Sequence, residues 1–204
     1  MFPKEFIFIG IDAQVDFITG ALPNKIAENN VELLNRSAEE VRNRGGKVYW
    51  TQDTHGTYEE YMASLEGQKL PVHHCEGGTP GWDFHPAIKL HTQDDLISKP
   101  TFGSLDLVRI LRERAAYYAG VPFSAIIMGG YDTDVCGVSN ALIVRATFPN
   151  TPIYWLDYAS AGVTAEGHAA AKIVMTSCQI DILHSLDELI EILDKKEDDE
   201  NAGN

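Results

Sequence analysis

The chain has 204 residues, 44% of them hydrophobic and 23% charged, and its formal net charge is −14. This length fits one domain with a full core, and no apolar run approaches the roughly 20 residues that a membrane-spanning helix needs. The negative charge argues against nucleic acid and anionic membranes as partners, because both bind clustered positive charge. Three cysteines without framework spacing favour a reducing, cytoplasmic location.

The first half of the chain alternates strand and helix patterns. Residues 5–12 are apolar almost throughout and predict a buried strand, and residues 27–44 carry apolar side chains at helical spacing. Gly45 and Gly46 end that helix, and a second strand follows at 47–52. Residues 53–91 are rich in Gly, Pro and His without a sustained period, so we interpret them as a long functional loop.

The second half continues the alternation. The predicted strands are 94–98, 124–129, 152–157 and 179–183. The predicted helices are 104–119, capped by Ser104, then 136–148, 165–177, and a last one that opens with a Ser185/Glu188 capping box. Continuously apolar strands are typical of a parallel sheet covered on both faces, so the sequence predicts a three-layer α/β/α domain. We assign it residues 1–196, with a disordered acidic tail at 197–204.

Polar residues follow several of these strands, at the sheet edge where sites of this fold class lie. Cys136 is the most informative, because it stands where a buried strand turns into a helix. A helix N-terminus lowers a thiol pKa, and its free N–H groups can bind an oxyanion. The alternative is a small buried cysteine, which the residue type alone would favour. Asp12 and Lys99 also follow strands, but each is equally typical of a turn or a solvated lysine.

A second group combines Asp53 and His55 with His74. In an extended chain, residues i and i+2 face the same side, so Asp53 and His55 can bind one metal ion. His74 offers a third ligand from across the loop. Two histidines and a carboxylate suit zinc, iron or manganese and leave positions for water and substrate. Surface histidines would give the same spacing, and His73 is available on the same grounds.

Several motifs occur together in one order. They are DAQVDF at 12–17, TQDTH at 51–55, LPVHHC at 70–75, GTPG at 78–81, Lys99, and TDVC at 133–136. In this combination the chain resembles the isochorismatase-like cysteine hydrolases, and among them the nicotinamidases, over roughly residues 6–183. The resemblance implies a six-stranded parallel sheet and a catalytic triad of Asp12, Lys99 and Cys136. It also implies that Asp53, His55 and His74 bind one divalent metal, with zinc as first choice and iron or manganese as alternatives.

The implied activity is hydrolysis of nicotinamide to nicotinate and ammonia through a thioester. Backbone N–H groups of Asp132 and Cys136 would hold the oxyanion, and the metal would bind the pyridine nitrogen. Phe17, Trp82 and Tyr131 are candidates to pack against the ring, with ordinary core burial as the alternative. We expect a small-molecule amide as the partner, and a homo-oligomer.

Two departures from the nicotinamidase pattern bear on the substrate. Thr54 and Gly56 flank the metal-site histidine where bacterial members usually carry Trp and Pro. Asp132 stands where a small residue usually follows a cis peptide, and we expect its carboxylate to point away from the oxyanion.

Other functions stay open at this point. One is a metal-free amidase of the same fold that acts on a carbamoyl or ureido compound, and another is a non-catalytic binding protein. An isochorismatase proper is disfavoured, because those members lack a cysteine at the position of Cys136.

Overall fold

A parallel sheet forms the centre of the computed structural model, which describes residues 5–117 and 123–202. Its strands are β1 Phe6–Ile11, β2 Lys47–Asp53, β3 Asp95–Lys99, β4 Ala125–Gly130, β5 Ile153–Leu156 and β6 Asp181–Leu183. They are ordered β3-β2-β1-β4-β5-β6 in one six-stranded sheet, and all neighbouring strands are parallel. The predicted α/β fold with a six-stranded parallel sheet is therefore confirmed.

Helices connect the strands. They are α1 Val15–Ile18, α2 Lys25–Asn43, α3 Tyr58–Ala63, α4 Leu65–Lys69, α5 Leu105–Tyr117, α6 Val138–Thr147, α7 Ala165–Ser177 and α8 Leu186–Ala202. The prediction for α7 is matched at both ends. Ser104 caps α5 as predicted, with its Oγ accepting from Leu107 N at 3.1 Å. The last residues predicted for that helix, 118 and 119, lie outside the described residues.

The two faces of the sheet carry separate cores. The first core contains Phe8, Trp50 and Leu34 under α2, together with Leu193 from α8. The second contains Ile9 and residues of α5, α6 and α7. Side chains alternate across each strand, so the consecutive apolar residues of β1 feed both cores. Complete burial of each large apolar side chain stabilises the fold by roughly 1.5–3 kcal/mol.

The last helix is longer than predicted. A disordered tail was expected from residue 197, but α8 continues to Ala202. Neither glycine nor proline occurs between Leu186 and Ala202, so that stretch contains no strong helix breaker. At its start, Glu188 N donates to Ser185 Oγ at 3.2 Å, whereas the Glu188 carboxylate accepts from His184 N at 2.8 Å. The serine half of the predicted capping box is therefore present, but the Glu188 carboxylate binds the N–H of His184 in place of that of Ser185.

The segment predicted as a long loop contains α3 and α4. Each is shorter than two helical turns, too short to produce a recognisable hydrophobic period. Two backbone hydrogen bonds join the ends of the segment that contains α3 and α4. His55 N donates to Cys75 O at 2.9 Å, and Gly77 N donates to His55 O at 3.0 Å. They bring the β2 end beside the strand-like stretch that carries His74.

Among residues 5–117 and 123–202, no helix is both long enough and apolar enough to cross a bilayer.

Candidate active site

Four polar side chains meet at the carboxyl edge of the sheet. Asp12 follows β1, while Asp53 and Lys99 end β2 and β3 and are register partners. Cys136 lies in a π-helical turn, Thr133–Gly137, between β4 and α6. A pocket of about 280 Å³ opens over this edge and is lined by Cys136 and Asp53 among others. Its volume is near the lower end of the range for small-molecule sites, about 300–1,000 Å³.

Lys99 lies at the centre of a buried polar group. Its Nζ is 2.7 Å from Asp12 Oδ2, 3.2 Å from Asp53 Oδ1 and 3.4 Å from Cys136 Sγ. Lys99, Asp12 and Cys136 are 1%, 0% and 4% exposed, so their interactions are little screened by water. The structure thus brings the three predicted catalytic side chains into one cluster.

The two carboxylate oxygens of Asp12 have different partners. Oδ1 accepts a hydrogen bond from Thr51 Oγ1 at 2.6 Å. The buried Oδ2 has the ion pair with Lys99 but no hydrogen bond of acceptable geometry. The backbone of Asp12 is left-handed, with φ of 46°, a conformation that costs about 1–3 kcal/mol in a residue other than glycine. Thr51 also accepts the Asp12 N–H, so the strained residue is fixed from β2.

The charges within the cluster are mutually dependent. Burial raises the pKa of Asp12, an effect that Lys99 partly offsets. Burial works to lower the pKa of Lys99, but Asp12, Cys136 and Asp53 raise it well above its usual value. Lys99 therefore holds its proton more strongly than an ordinary lysine, and its charge favours the ionised forms of Asp12 and Cys136.

The predicted low thiol pKa is wrong. Burial raises the pKa of the Cys136 thiol well above its usual value, Asp12 raises it further, and Lys99 lowers it only in part. The sequence argument counted the helix terminus and missed the desolvation and the adjacent carboxylate. Burial and Asp12 therefore favour the protonated form of the Cys136 thiol.

The turn that carries Cys136 is fixed through its backbone. The Tyr131–Asp132 peptide bond is cis, as the resemblance implied. The carbonyl of Asp132 accepts from Val135 N at 3.1 Å and from Gly137 N at 2.8 Å. The N–H of Asp132 donates to no acceptor among the described residues, so it is available to a ligand oxygen. The Asp132 carboxylate is directed toward Asn24, whose Nδ2 lies 3.5 Å from Oδ1.

A second cluster adjoins the first through Asp53. Asp53 Oδ2 lies 3.0 Å from His55 Nε2 and 3.5 Å from His74 Nε2. Glu66 Oε1 adds a fourth ligand atom, 3.6 Å from His55 Nε2 and 3.8 Å from His74 Nε2. The set of four is the candidate metal site, with ligand atoms all within 4.8 Å of one another.

The spacing and the orphaned nitrogen fit a divalent metal. Ligands about 2.1 Å from a tetrahedral zinc lie about 3.4 Å apart, close to the distances found. His55 Nε2 is buried without a hydrogen bond of acceptable geometry. His74 Nδ1 lies 2.8 Å from Val72 O, a bond that directs Nε2 toward the cluster. Burial alone would raise the pKa of Asp53, but the adjacent His55 and His74 side chains and the charge of Lys99 hold it below its usual value.

Gln14 aligns the metal cluster and was not among the predicted site residues. Its fully buried side chain donates to Asp53 O at 2.9 Å and accepts from Asp53 N at 2.7 Å. It also donates to Trp82 O at 2.8 Å. Gln14 therefore positions the backbone of one ligand against the long loop.

We expect Gln14→Ala to lower the free energy of unfolding by about 2–3 kcal/mol, because it leaves buried backbone groups unsatisfied. Bound metal should fall as well, since Asp53 loses its alignment. Urea unfolding and metal analysis measure both effects. Gln68→Ala is the matched control, because the Gln68 side chain is exposed and makes one long bond, 3.3 Å, to Ala63 O. Equal stability of the two variants would contradict the assigned role.

The three aromatic candidates have different positions. Phe17 lines the pocket and packs edge-on against His74, with ring centroids 5.4 Å apart. Trp82 does not line it, and its Nε1 donates to Thr54 Oγ1 at 2.8 Å. Tyr131 is fully buried in the core, and its hydroxyl donates to Asn30 Oδ1 at 2.6 Å. Tyr131 therefore belongs to the core and Trp82 packs against it, and Phe17 is the one of the three that lines the pocket.

Other predicted candidates lie outside the site. His73 Nε2 is 2.9 Å from Gly56 O, and His73 is not part of the metal cluster. Cys75 and Cys178 are free thiols, and neither lines the pocket. The sequence analysis missed Glu66, for which the only signal was an acid within the histidine-rich loop. It also missed the apolar pocket walls that Leu70, Phe102 and Val135 provide.

Comparisons with known proteins identify similar folds and a family. No curated protein matches the sequence significantly. Among solved structures, the zinc complex of a pyrazinamidase from Pyrococcus horikoshii is 24% identical, with 89% of this chain and 99% of that one covered and a TM-score of 0.75. A pyrazinamidase/nicotinamidase from Streptococcus mutans is 21% identical, with 88% and 100% covered and a TM-score of 0.73. An N-carbamoylsarcosine amidase from Thermoplasma acidophilum is 19% identical, with 87% and 95% covered and a TM-score of 0.70.

These structural similarities concern the fold. The family assignment comes from the sequence itself, because the family model described as the isochorismatase domain matches residues 6–185. That range includes both polar clusters and all six strands. The chain belongs to the isochorismatase-like hydrolase family.

Proposed function

We propose that this protein is a metal-dependent cysteine amidohydrolase and that nicotinamide is its substrate, converted with water to nicotinate and ammonia. The observation that carries the proposal is the contact of Lys99 with Asp12, Asp53 and Cys136, which links a nucleophile to a metal-type cluster in one small pocket. The fold likeness to pyrazinamidases and nicotinamidases supports the choice of substrate.

In the proposed first step, the Cys136 sulfur attacks the carboxamide carbon while its proton moves to Asp12. Oδ2 of Asp12, which lies 2.7 Å from the Lys99 ammonium, is the acceptor, and the raised pKa of Asp12 makes it a competent base for a thiol. Lys99 stays protonated and stabilises the negative charge that passes from carboxylate to sulfur. The tetrahedral oxyanion accepts hydrogen bonds from the N–H groups of Asp132 and Cys136.

The intermediate then collapses to a thioester. Asp12 returns its proton to the departing nitrogen, and the C–N bond breaks with release of ammonia. Water replaces ammonia, loses a proton to Asp12 and attacks the thioester. Collapse of this second intermediate releases the acid and returns the proton to Cys136, so each residue recovers its starting state.

The residues that would hold the metal are Asp53, His55, Glu66 and His74. A metal held by these residues would provide a binding point for the ring nitrogen of the substrate and so would orient its amide. Phe17, which packs on His74, lies beside this end of the pocket and provides an apolar contact for the ring. These residues thus bind and orient, while the chemistry stays with the Asp12, Lys99 and Cys136 group.

A second candidate is an amidase acting on a carbamoyl or ureido compound. The fold likeness to N-carbamoylsarcosine amidase favours it, and so does the absence of Trp and Pro around His55. Ammonia release from nicotinamide, pyrazinamide and carbamoyl amino acids separates the two candidates. We expect turnover of the aromatic amides, with loss on chelation and recovery on zinc addition. Turnover of carbamoyl compounds alone would replace the nicotinamidase proposal.

We expect His55→Ala to lose most of the bound metal, because it removes one of the two imidazole ligands of the proposed set. Its kcat/KM for nicotinamide should fall by about 10²-fold, as losses of metal positioning commonly do. Metal analysis of protein purified without chelator is the measurement. His91→Ala is the matched control, since that exposed histidine pairs with Glu39 far from the cluster. Stoichiometric metal in His55→Ala would reject the assignment of this ligand.

A further inference from the structure

Asp132 is an ionisable pocket residue with no place in the proposed reaction beyond its backbone N–H. The other ionisable lining residues, Asp53, Glu66, His74 and Cys136, belong to the metal cluster or the nucleophile group. Asp132 directly precedes the π-helical turn that carries Cys136. Its carboxylate is therefore on the same loop as the proposed nucleophile and lines the same pocket.

The carboxylate has no evident structural task. Asp132 occupies the N-cap position of its turn, where an aspartate side chain ordinarily accepts a backbone N–H, but here it forms no such bond. Backbone bonds to its carbonyl hold the turn instead. Its side chain has one long contact, at 3.5 Å, with Asn24 Nδ2, which donates better to Gly162 O at 2.9 Å.

The neighbouring acids differ from Asp132 in having partners. Asp134 accepts from Val163 N at 2.8 Å, and Asp53 has Lys99 and two histidines. Among the described residues, Asp132 takes part in no ion pair within 4.0 Å. Burial, with a contribution from Asp134, raises its pKa to about 7. A poorly solvated carboxylate of this kind gains most from a ligand that brings a positive charge.

The remaining walls define what else the ligand carries. Phe17, Leu22 and Val135 make the lining mostly apolar, and the pocket volume of about 280 Å³ admits a compact molecule. A cation would enter such a pocket at high cost without an anion to receive it. Asp132 supplies that anion on the loop of the proposed nucleophile.

We propose that Asp132 is a specificity-determining residue and that it selects carboxamide substrates bearing a cationic amino group. The inference rests on the proposed amidohydrolase function in that it takes the Cys136 pocket as the substrate pocket. An aromatic or other compact amide with an aminomethyl-type substituent has the required chemistry. A neutral amide would leave the partly buried Asp132 carboxylate without an ion-pair partner.

Binding tests the proposal without turnover. Calorimetry of Cys136→Ala at pH 7.5 with zinc would compare 5- and 6-(aminomethyl)nicotinamide with their hydroxymethyl counterparts, which are similar in size but neutral. We expect at least one cationic compound to bind about tenfold or more tightly than its counterpart, as loss or gain of a buried charge partner produces. Adding Asp132→Asn should abolish this preference.

Matched variants complete the design. Asp106→Asn, in the same Cys136→Ala background, removes one acid from an exposed position on α5 and should keep the preference. Asp132→Ala repeats the test if Asp132→Asn unfolds at a lower temperature. Equal binding of cationic and neutral compounds, or a preference that survives both Asp132 substitutions, would overturn the proposal.

Ammonia release separates this inference from the function on which it rests. In the enzyme with Cys136 intact, the ratio of kcat/KM for cationic and neutral amides should fall about tenfold in Asp132→Asn. Release from both with an unchanged ratio would reject the role of Asp132 and keep the amidohydrolase. An Asp132-dependent binding preference without ammonia release from any amide would reject the amidohydrolase and keep the charge selection.

Discussion

Cys136→Ala is expected to abolish ammonia release, with a loss of about 10⁴-fold or more, because no other group can form the covalent intermediate. The wild-type protein, quenched during turnover, should carry an acyl group on Cys136 that intact-protein and peptide mass spectrometry detect. The substitution removes one sulfur from a side chain that is 4% exposed, so we expect the fold to persist. Circular dichroism and thermal unfolding would verify this.

The matched control is Cys178→Ala, which removes a thiol at the end of α7, outside the pocket. It should retain full activity and the acyl adduct. Cys136→Ser is also informative, because a hydroxyl is a far weaker acid than a thiol and Asp12 would be a poor base for it. Near wild-type turnover in Cys136→Ala would end the covalent mechanism.

The sheet could be predicted from sequence because β1, β4 and β5 are apolar almost throughout and segments of helical periodicity separate the strands. The order of polar residues after β1, β2 and β3 was equally visible, since parallel strands bring their carboxyl ends to one edge. The sequence therefore predicted that Asp12, Asp53 and Lys99 lie close together. What brought Cys136 to the same point is the crossover from β4, the strand beside β1.

The incorrect or missing predictions concern properties that depend on residues distant in the sequence. The pKa of Cys136 depends on burial and on Asp12, which is distant in sequence. Tyr131 is aromatic and adjacent to the site in sequence, but its side chain turns into the core and bonds to Asn30. Glu66 lies in a helix of five residues, too short to be recognised, and reaches the histidines only because α4 folds over them.

The role of Lys99 gives the second large prediction. Its Nζ contacts two carboxylates and the thiol, and all three of these groups are buried away from water. Lys99→Ala leaves Asp12 and Asp53 buried without their common cation. Breaking a buried ion pair in this way costs about 3–5 kcal/mol, so stability should fall along with activity. Urea unfolding measures the first effect.

For activity, we expect kcat of Lys99→Ala to fall by about 10²-fold or more, with little change in KM. The reason is that negative charge moves from Asp12 to Cys136 during attack, and Lys99 is the cation in contact with both side chains. Without Lys99 the pKa of the thiol rises further, so alkylation of Cys136 by iodoacetamide should shift to higher pH. Lys99→Met, which keeps the length of the side chain, tests the charge with less disturbance of packing.

Lys99→Arg should restore activity only in part. A guanidinium is planar and larger than an ammonium, and it cannot occupy one point within 2.7–3.4 Å of three acceptors. Metal content has to be measured in each variant, because Asp53 joins this cluster to the metal ligands. A near wild-type kcat in folded, metal-loaded Lys99→Met, with an unchanged alkylation profile, would show that Lys99 neutralises buried charge and has no part in the reaction.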